Sequence, residues 1–168
     1  MRKKEVKSLV IYYSKTGNTK LMAESIASEV NADLFEIQRQ KDIKSSGFML
    51  YFRGGFESMT RKNIRLEKTE IDLEKYDLIF LGTPVWAWRL NPVVRSFLKK
   101  VKIENKKIGL FASCAGSAEG VLADLKDILK KNTILGESEY VEPLKKNTEA
   151  LVKKAKTWAK EIQHKAGK

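Results

Sequence analysis

The 168-residue chain sets 33 Lys and Arg against 21 Asp and Glu, a formal charge of +12, and has 42% hydrophobic residues. That length suits one domain, expected over 1–168, whose core needs no disulfide or metal staple, and the single Cys114 excludes an internal disulfide. No apolar run approaches the roughly 20 residues of a membrane-spanning helix and no secretory leader pattern stands before the first strand, so a cytoplasmic protein with no membrane span is expected.

The first predicted strand is Leu9, Val10, Ile11, Tyr12, Tyr13, an unbroken apolar run of the kind buried on both faces of a parallel sheet. Met22, Ala23, Ile26, Ala27 and Val30 then recur at three- and four-residue spacing, which predicts a helix over 18–30. Between strand and helix lie Ser14, Lys15, Thr16, Gly17, Asn18 and Thr19. A helix N-terminus offers N–H groups without internal partners at the positive end of its dipole, so this loop suits an anion. Gly17 admits close backbone approach, and the hydroxyls of Ser14, Thr16 and Thr19 add donors without needing a positive residue. The loop has neither GxxxxGK[ST] nor GxGxxG spacing, which removes the main support for a nucleotide-triphosphate or dinucleotide site. A single terminal phosphate and a plain capped turn remain as alternatives.

The second strand, over 33–38, alternates through Phe35 and Ile37. Within 40–70, Phe48, Tyr51, Phe52, Phe56 and Met59 predict one short amphipathic helix, interrupted at Gly54 and Gly55. Its aromatic residues and Arg53 either pack on the sheet or approach a ligand or another subunit. The third strand, over 77–82, leads into Thr83, Pro84, Val85, Trp86, Ala87 and Trp88. Two tryptophans in such a loop suit a planar ligand, since ring stacking adds roughly 0.5–1.5 kcal/mol beyond burial. The alternative, an indole folded back onto the core, stays open, above all for Trp88. Asn91 is expected to cap a helix that starts at Pro92 and buries Val93, Val94, Phe97, Leu98 and Val101.

The fourth strand, over 107–113, runs into Ser113, Cys114, Ala115 and Gly116, small residues whose backbone can approach a ligand edge. Cys114 has no activating partner, because the one histidine is His164, and it is read as packing. Ser117 is expected to cap a helix burying Val121, Leu122, Leu125, Ile128 and Leu129. The fifth strand, over 136–141, carries Glu137, Ser138 and Glu139, and Asn147 is expected to cap the last helix, with Leu151, Val152, Ala155, Trp158, Ala159 and Ile162 inward. The tail around His164, Lys165 and Gly167 is expected to fray.

Strands alternating with helices predict a doubly wound α/β fold, a five-stranded parallel sheet with helices on both faces. The apolar first, third and fourth strands belong in its centre and the second and fifth at its edges, which gives the order 2-1-3-4-5. The loops after strands one, three and four then surround one crevice. Lys153, Lys154, Lys156 and Lys160 fall on the polar face of the last helix, and no zinc-finger or basic-aromatic motif accompanies them. They read as a solvated face, with no specific nucleic-acid partner.

Phosphate cradle, tryptophan loop and small-residue loop, in that chain order, resemble the flavodoxin family over nearly the whole chain. SKTGNT resembles the family's phosphate loop, GTPVW its first flavin-side loop and FASCAG its second. The resemblance implies a flavodoxin-like fold and noncovalent FMN, with Ser14, Thr16, Gly17, Asn18 and Thr19, and Lys15 in the same loop, at the phosphate. It implies Trp86 against the isoalloxazine, within a contact segment running from Thr83 to Trp88, and the Ser113, Cys114, Ala115 and Gly116 backbone along the pyrimidine. Two features depart from the family pattern. Ala115, Gly116 and Ser117 stand where many flavodoxins carry a second aromatic residue, and the chain is basic where the family's electron carriers are acidic. In its longer connection before the third strand it is similar to short flavodoxin-like proteins. The implied activity is electron transfer to or from a redox protein partner, the basic surface suiting an acidic one, by a monomer or homodimer, with no catalytic acid or base and no metal. An NAD(P)H-dependent flavin or quinone reductase and a noncatalytic anion-binding module stay open as alternatives.

Overall fold

Residues 5–41, 48–59 and 63–168 are described by a computed structural model of the chain. In chain order the elements are β1 (Ser8–Tyr12), α1 (Asn18–Val30), β2 (Asp33–Glu36), α2 (Phe48–Met59), β3 (Leu78–Trp86), β4 (Arg89–Leu90), α3 (Pro92–Lys100), β5 (Lys107–Cys114), α4 (Glu119–Ile128), β6 (Thr133–Val141) and α5 (Thr148–Ala166). Five strands form a parallel sheet in the order β2-β1-β3-β5-β6, the expected 2-1-3-4-5 arrangement, and β4 adds a sixth strand antiparallel to β3.

The apolar run of β1 is buried on both sides because each face of the sheet meets a helical layer. Leu9 and Ile11 pack with Ile79, Leu81, Phe97 of α3 and Leu125 of α4. Val10 and Tyr12 pack with Phe80, Ile26 of α1, and Ala155 and Ile162 of α5. The edges carry the strands with polar or alternating patterns, β2 and β6. Two lysines of α5 guard the open side of β6: Lys154 Nζ donates to the Glu139 carbonyl at 2.9 Å and Lys165 Nζ to that of Leu135 at 3.2 Å. Part of the excess positive charge thus blunts a strand edge that would otherwise invite pairing.

Several local expectations are corrected. The segment after Gly82 is not a loop, since β3 continues to Trp86 and turns back through Ala87 (φ 49°) and Trp88 (φ 55°) into β4. Two positive φ values at the tip of a two-residue hairpin match the strand twist, a geometry usually filled by Asn-Gly. The α2 helix runs unbroken through Gly54 and Gly55. Those glycines serve close approach instead: a Cβ at Gly54 would lie 2.7 Å from Trp86 Cε3 and one at Gly55 3.4 Å from Ala87 Cβ. Of the residues expected on the inner face of α2, Phe56 and Met59 are exposed, while Leu50 is buried in their stead. Arg53 is exposed on the same helix, and the side chains of Phe48, Tyr51 and Phe52 lie outside the described residues.

Asn91 caps α3 as expected, its Oδ1 accepting from Val93 N at 2.9 Å with Pro92 next. Ala118, not Ser117, holds the N-cap position of α4, with Ser117 Oγ accepting from Glu119 N at 3.2 Å and a Glu139 carboxylate oxygen from Ala118 N at 2.8 Å. Ile128, at the last turn of α4, faces solvent, not the core. Asn147 precedes α5 but makes no side-chain cap bond, being held in the left-handed region; Thr148 Oγ1 donates to the Pro143 carbonyl at 2.6 Å instead. Nor does the tail fray: α5 continues past His164 and Lys165 to a buried Ala166, whose carbonyl accepts from Lys107 Nζ at 2.6 Å.

Tyr140 of β6 is fully buried between sheet and α5, and burial pushes its hydroxyl from 10.0 up to about 12, an effect that the Ser138 hydroxyl partly offsets. A folded value above the unfolded one adds stability that is complete below pH 10 and lost as the pH climbs to about 12. Tyr140→Phe is therefore expected to remove a pH-dependent stability difference of order 2–3 kcal/mol. Urea denaturation of both proteins at pH 8 and pH 12 measures it, and equal pH dependence in the two would refute the assignment.

Candidate functional site

Parallel pairing brings the carboxyl ends of β1, β3, β5 and β6 to one rim, where their loops enclose a narrow crevice of about 70 Å³. The β1–α1 loop forms one wall with Thr16 and Asn18. Gly17 takes the left-handed conformation (φ 89°) that opens α1, and its N–H donates to Ser14 Oγ at 3.2 Å. The first bond within the helix is Leu21 N to the Gly17 carbonyl, at 2.9 Å. The N–H groups of residues 18–20 therefore have no helical acceptor and face the loop at the positive end of the helix dipole. Asn18 is braced rather than mobile: its Nδ2 donates to Thr16 Oγ1 at 3.1 Å, and its Oδ1 accepts from Leu144 N at 3.0 Å.

Thr19 contributes differently from Thr16. Its side chain is buried, and its hydroxyl bonds Ser113 Oγ at 2.5 Å, pinning the first turn of α1 to the end of β5. Only its N–H is left to serve a ligand. Thr19→Val is expected to cost about 1–3 kcal/mol, because Ser113 loses a buried partner. In a denaturation cycle the Thr19→Val/Ser113→Ala double variant should lose less than the sum of the single variants, and strict additivity would contradict the pairing.

The opposite wall comes from β3. Pro84, Val85 and Trp86 line the crevice, whereas Thr83 is buried with its hydroxyl turned onto the Pro84 carbonyl at 3.0 Å. The Trp86 indole is half-buried, set edge-on to Tyr13 with ring centroids 6.1 Å apart and resting on Gly54. Trp88 does not fold onto the core: it is 82% exposed at the hairpin tip beside Ala87, away from the crevice lining. Ser113, Cys114 and Ala115 form the floor, with Ala115 and Gly116 open to solvent. Cys114 Sγ donates to the Gly116 carbonyl at 3.3 Å, and burial together with the nearby Glu139 carboxylate raises the thiol above its ordinary range, which keeps it protonated and unreactive.

Sequence patterns point to three loops, and the structure adds a fourth. Glu142 and Lys145, in the turn after β6, also line the crevice, as does Leu50 from α2. The signal for the turn was available, since a parallel fifth strand must end on the same rim as the others. Wider grooves flank α5, one of about 910 Å³ along β6 and α4, but it is lined by acidic and basic side chains together and shares no lining residue with the crevice. Among the described residues no cluster of His, Cys, Asp or Glu could hold a metal, and no helix is long and apolar enough to cross a membrane.

A family model described as flavodoxin matches residues 7–149. The chain belongs to the flavodoxin family. The flavodoxin-like domain-containing protein BilS of Clostridioides difficile is 33% identical over 139 residues, covering 78% of this chain, which spans 63% of the length of that relative. Among solved structures, a flavoprotein from Bacteroides eggerthii superposes with a TM-score of 0.76 at 20% identity, covering 94% of this chain and 98% of that one. A flavoprotein from Lactobacillus acidophilus, solved in complex with FMN, superposes with a TM-score of 0.67 at 23% identity, covering 85% and 99%. The residues present here fit an FMN like the one in the Lactobacillus acidophilus structure unevenly. The left-handed Gly17 turn at the head of α1 leaves one end open to an anion, while the end bordered by Trp86 and Leu50 is narrow.

Proposed function

We propose that this flavodoxin binds FMN across the three loops and exchanges electrons with a protein partner. The observation that carries the reading is the meeting, at one rim, of the Gly17 turn at the head of α1, the Trp86 wall and the small-residue floor of Ser113 to Ala115. In this reading Ser14, Lys15, Thr16, Gly17 and Asn18 hold the phosphate, with Thr19 contributing its N–H. Pro84, Val85 and Trp86 bound one face of the flavin, while Thr83 supports them from within and Ala87 and Trp88 carry the hairpin tip beside it. Backbone groups of Ser113, Cys114, Ala115 and Gly116 supply partners along the other edge. Bound FMN supplies the redox chemistry; the protein positions it and sets its exposure and electrostatic surroundings. The charge of +12 suits an acidic docking face, which would raise the rate of encounter and make it sensitive to salt.

A visible spectrum of the purified protein tests the cofactor: flavin absorbance, or its appearance when FMN is added, is expected. Colourless protein that takes up no FMN would refute it. The exposed Ala115 and Gly116 favour a second reading, a reductase in which NAD(P)H or a quinone reaches the flavin over that open face. Stopped-flow mixing with NADPH separates the two, because rapid bleaching of the flavin marks a reductase and its absence a carrier.

A further inference from the structure

The turn between β6 and α5 is fastened to the phosphate loop. Leu144 N donates to Asn18 Oδ1 at 3.0 Å, and Leu144 Cδ1 stands 3.2 Å from where a Cβ on Gly17 would be. The turn holds this position although Glu142 (φ 46°) and Asn147 (φ 50°) adopt backbone conformations that non-glycine residues disfavour. Its polar groups reach the same crevice as Thr16 and Asn18, through Glu142 and Lys145.

The charges at this turn do not cancel. Glu142 is paired closely with Lys146 and more loosely, at 3.7 Å, with Lys145. One carboxylate therefore meets two ammonium groups, and Lys146 suffices to balance it. Lys145 is the lysine that lines the crevice, and its side chain is 68% exposed, so its flexible stem is not committed to a buried partner. A bound phosphate would gain a full opposite charge at this point, where hydroxyls and backbone N–H groups supply only dipoles.

We propose that Lys145 is a phosphate ligand contributed by a fourth loop, and that it gives this site its preference for FMN over riboflavin, which lacks the phosphate. The proposal rests on the reading of the crevice as an FMN site. Titration of the full chain with FMN and with riboflavin, followed by quenching of flavin fluorescence at low and high salt, tests it. Lys145→Gln is expected to weaken FMN binding about tenfold, the size of one hydrogen bond to a charged group, while riboflavin binding changes by less than about twofold. The same variant should show a flatter salt dependence. Lys145→Arg should restore most of the affinity. Lys130→Gln, which removes the same charge from an exposed position outside the crevice, should leave FMN affinity within about twofold of the parent, because a remote exposed charge is screened. Equal losses for both flavins, or an equal loss from Lys130→Gln, would overturn the assignment by reducing Lys145 to a structural or bulk-charge role. Unaltered FMN binding by Lys145→Gln would overturn it outright. Failure of the parent protein itself to bind FMN would overturn the cofactor reading and this inference together.

Discussion

Gly82→Ala is expected to destabilise the fold by about 3 kcal/mol or more, the upper end of what overpacking a filled core costs. Gly82 lies in β3, paired with Tyr12 on one side and Phe111 on the other. A Cβ there would fall 2.2 Å from Phe111 Cζ and 2.5 Å from Cε2, so the ring covers the glycine. The ring has nowhere to retreat: Phe111 is fully buried and meets Trp158 edge-on with centroids 6.4 Å apart. Alanine in place of glycine normally gains about 0.5–1 kcal/mol within a strand, which is too little to offset this clash. Equilibrium urea denaturation gives the loss directly. Gly82→Ala combined with Phe111→Leu should recover part of it, since the smaller side chain clears the space while leaving a partial cavity. A single variant within about 0.5 kcal/mol of the parent would show that the sheet shifts to make room, and that its central packing is softer than the geometry indicates.

The parts of the fold legible in the sequence are those governed by one dominant local force. The unbroken run Leu9 to Tyr13 reads as a strand buried on both faces and is one over Ser8–Tyr12, and Asn91 followed by Pro92 reads as a helix start and opens α3. The errors arise where a residue's usual local meaning is overridden by its neighbours in space. Gly54 and Gly55 read as helix breakers, yet they are small because Trp86 and Ala87 press on them. Ala87 and Trp88 carry no turn signature, yet both take left-handed conformations to close a hairpin. Thr19 read as a phosphate hydroxyl, and only the parallel register that brings β5 beside α1 shows its partner to be Ser113. The turn from Glu142 to Asn147 contains no motif at all. Its place at the rim depends on strand order, and its lysine acquires meaning only from the crevice that it borders.

Gly17→Val is expected to reduce FMN affinity by a factor on the order of 100, with a smaller loss for Gly17→Ala. Gly17 holds φ 89° and ψ −15°, a region that costs an ordinary residue about 1–2 kcal/mol and suits a β-branched one least. Space is tight as well, for a Cβ would meet Leu144 Cδ1 at 3.2 Å; the leucine end can yield to one methyl group more easily than to an isopropyl group. If the backbone instead relaxes to negative φ, the Gly17 N–H leaves Ser14 Oγ and the N–H groups at the head of α1 no longer converge on one point. Losing one or two hydrogen bonds to a charged group, at about 1.5–3 kcal/mol each, accounts for the hundredfold estimate. The damage should be confined to the phosphate, because Trp86 and the floor of Ser113 to Ala115 lie on other loops. Titration with FMN and riboflavin therefore distinguishes the possible outcomes: FMN affinity should collapse toward that for riboflavin while riboflavin affinity stays near the parent value. A valine variant that binds FMN as the parent does would mean that the anion is held elsewhere on the rim, and that the left-handed turn serves only to start the helix.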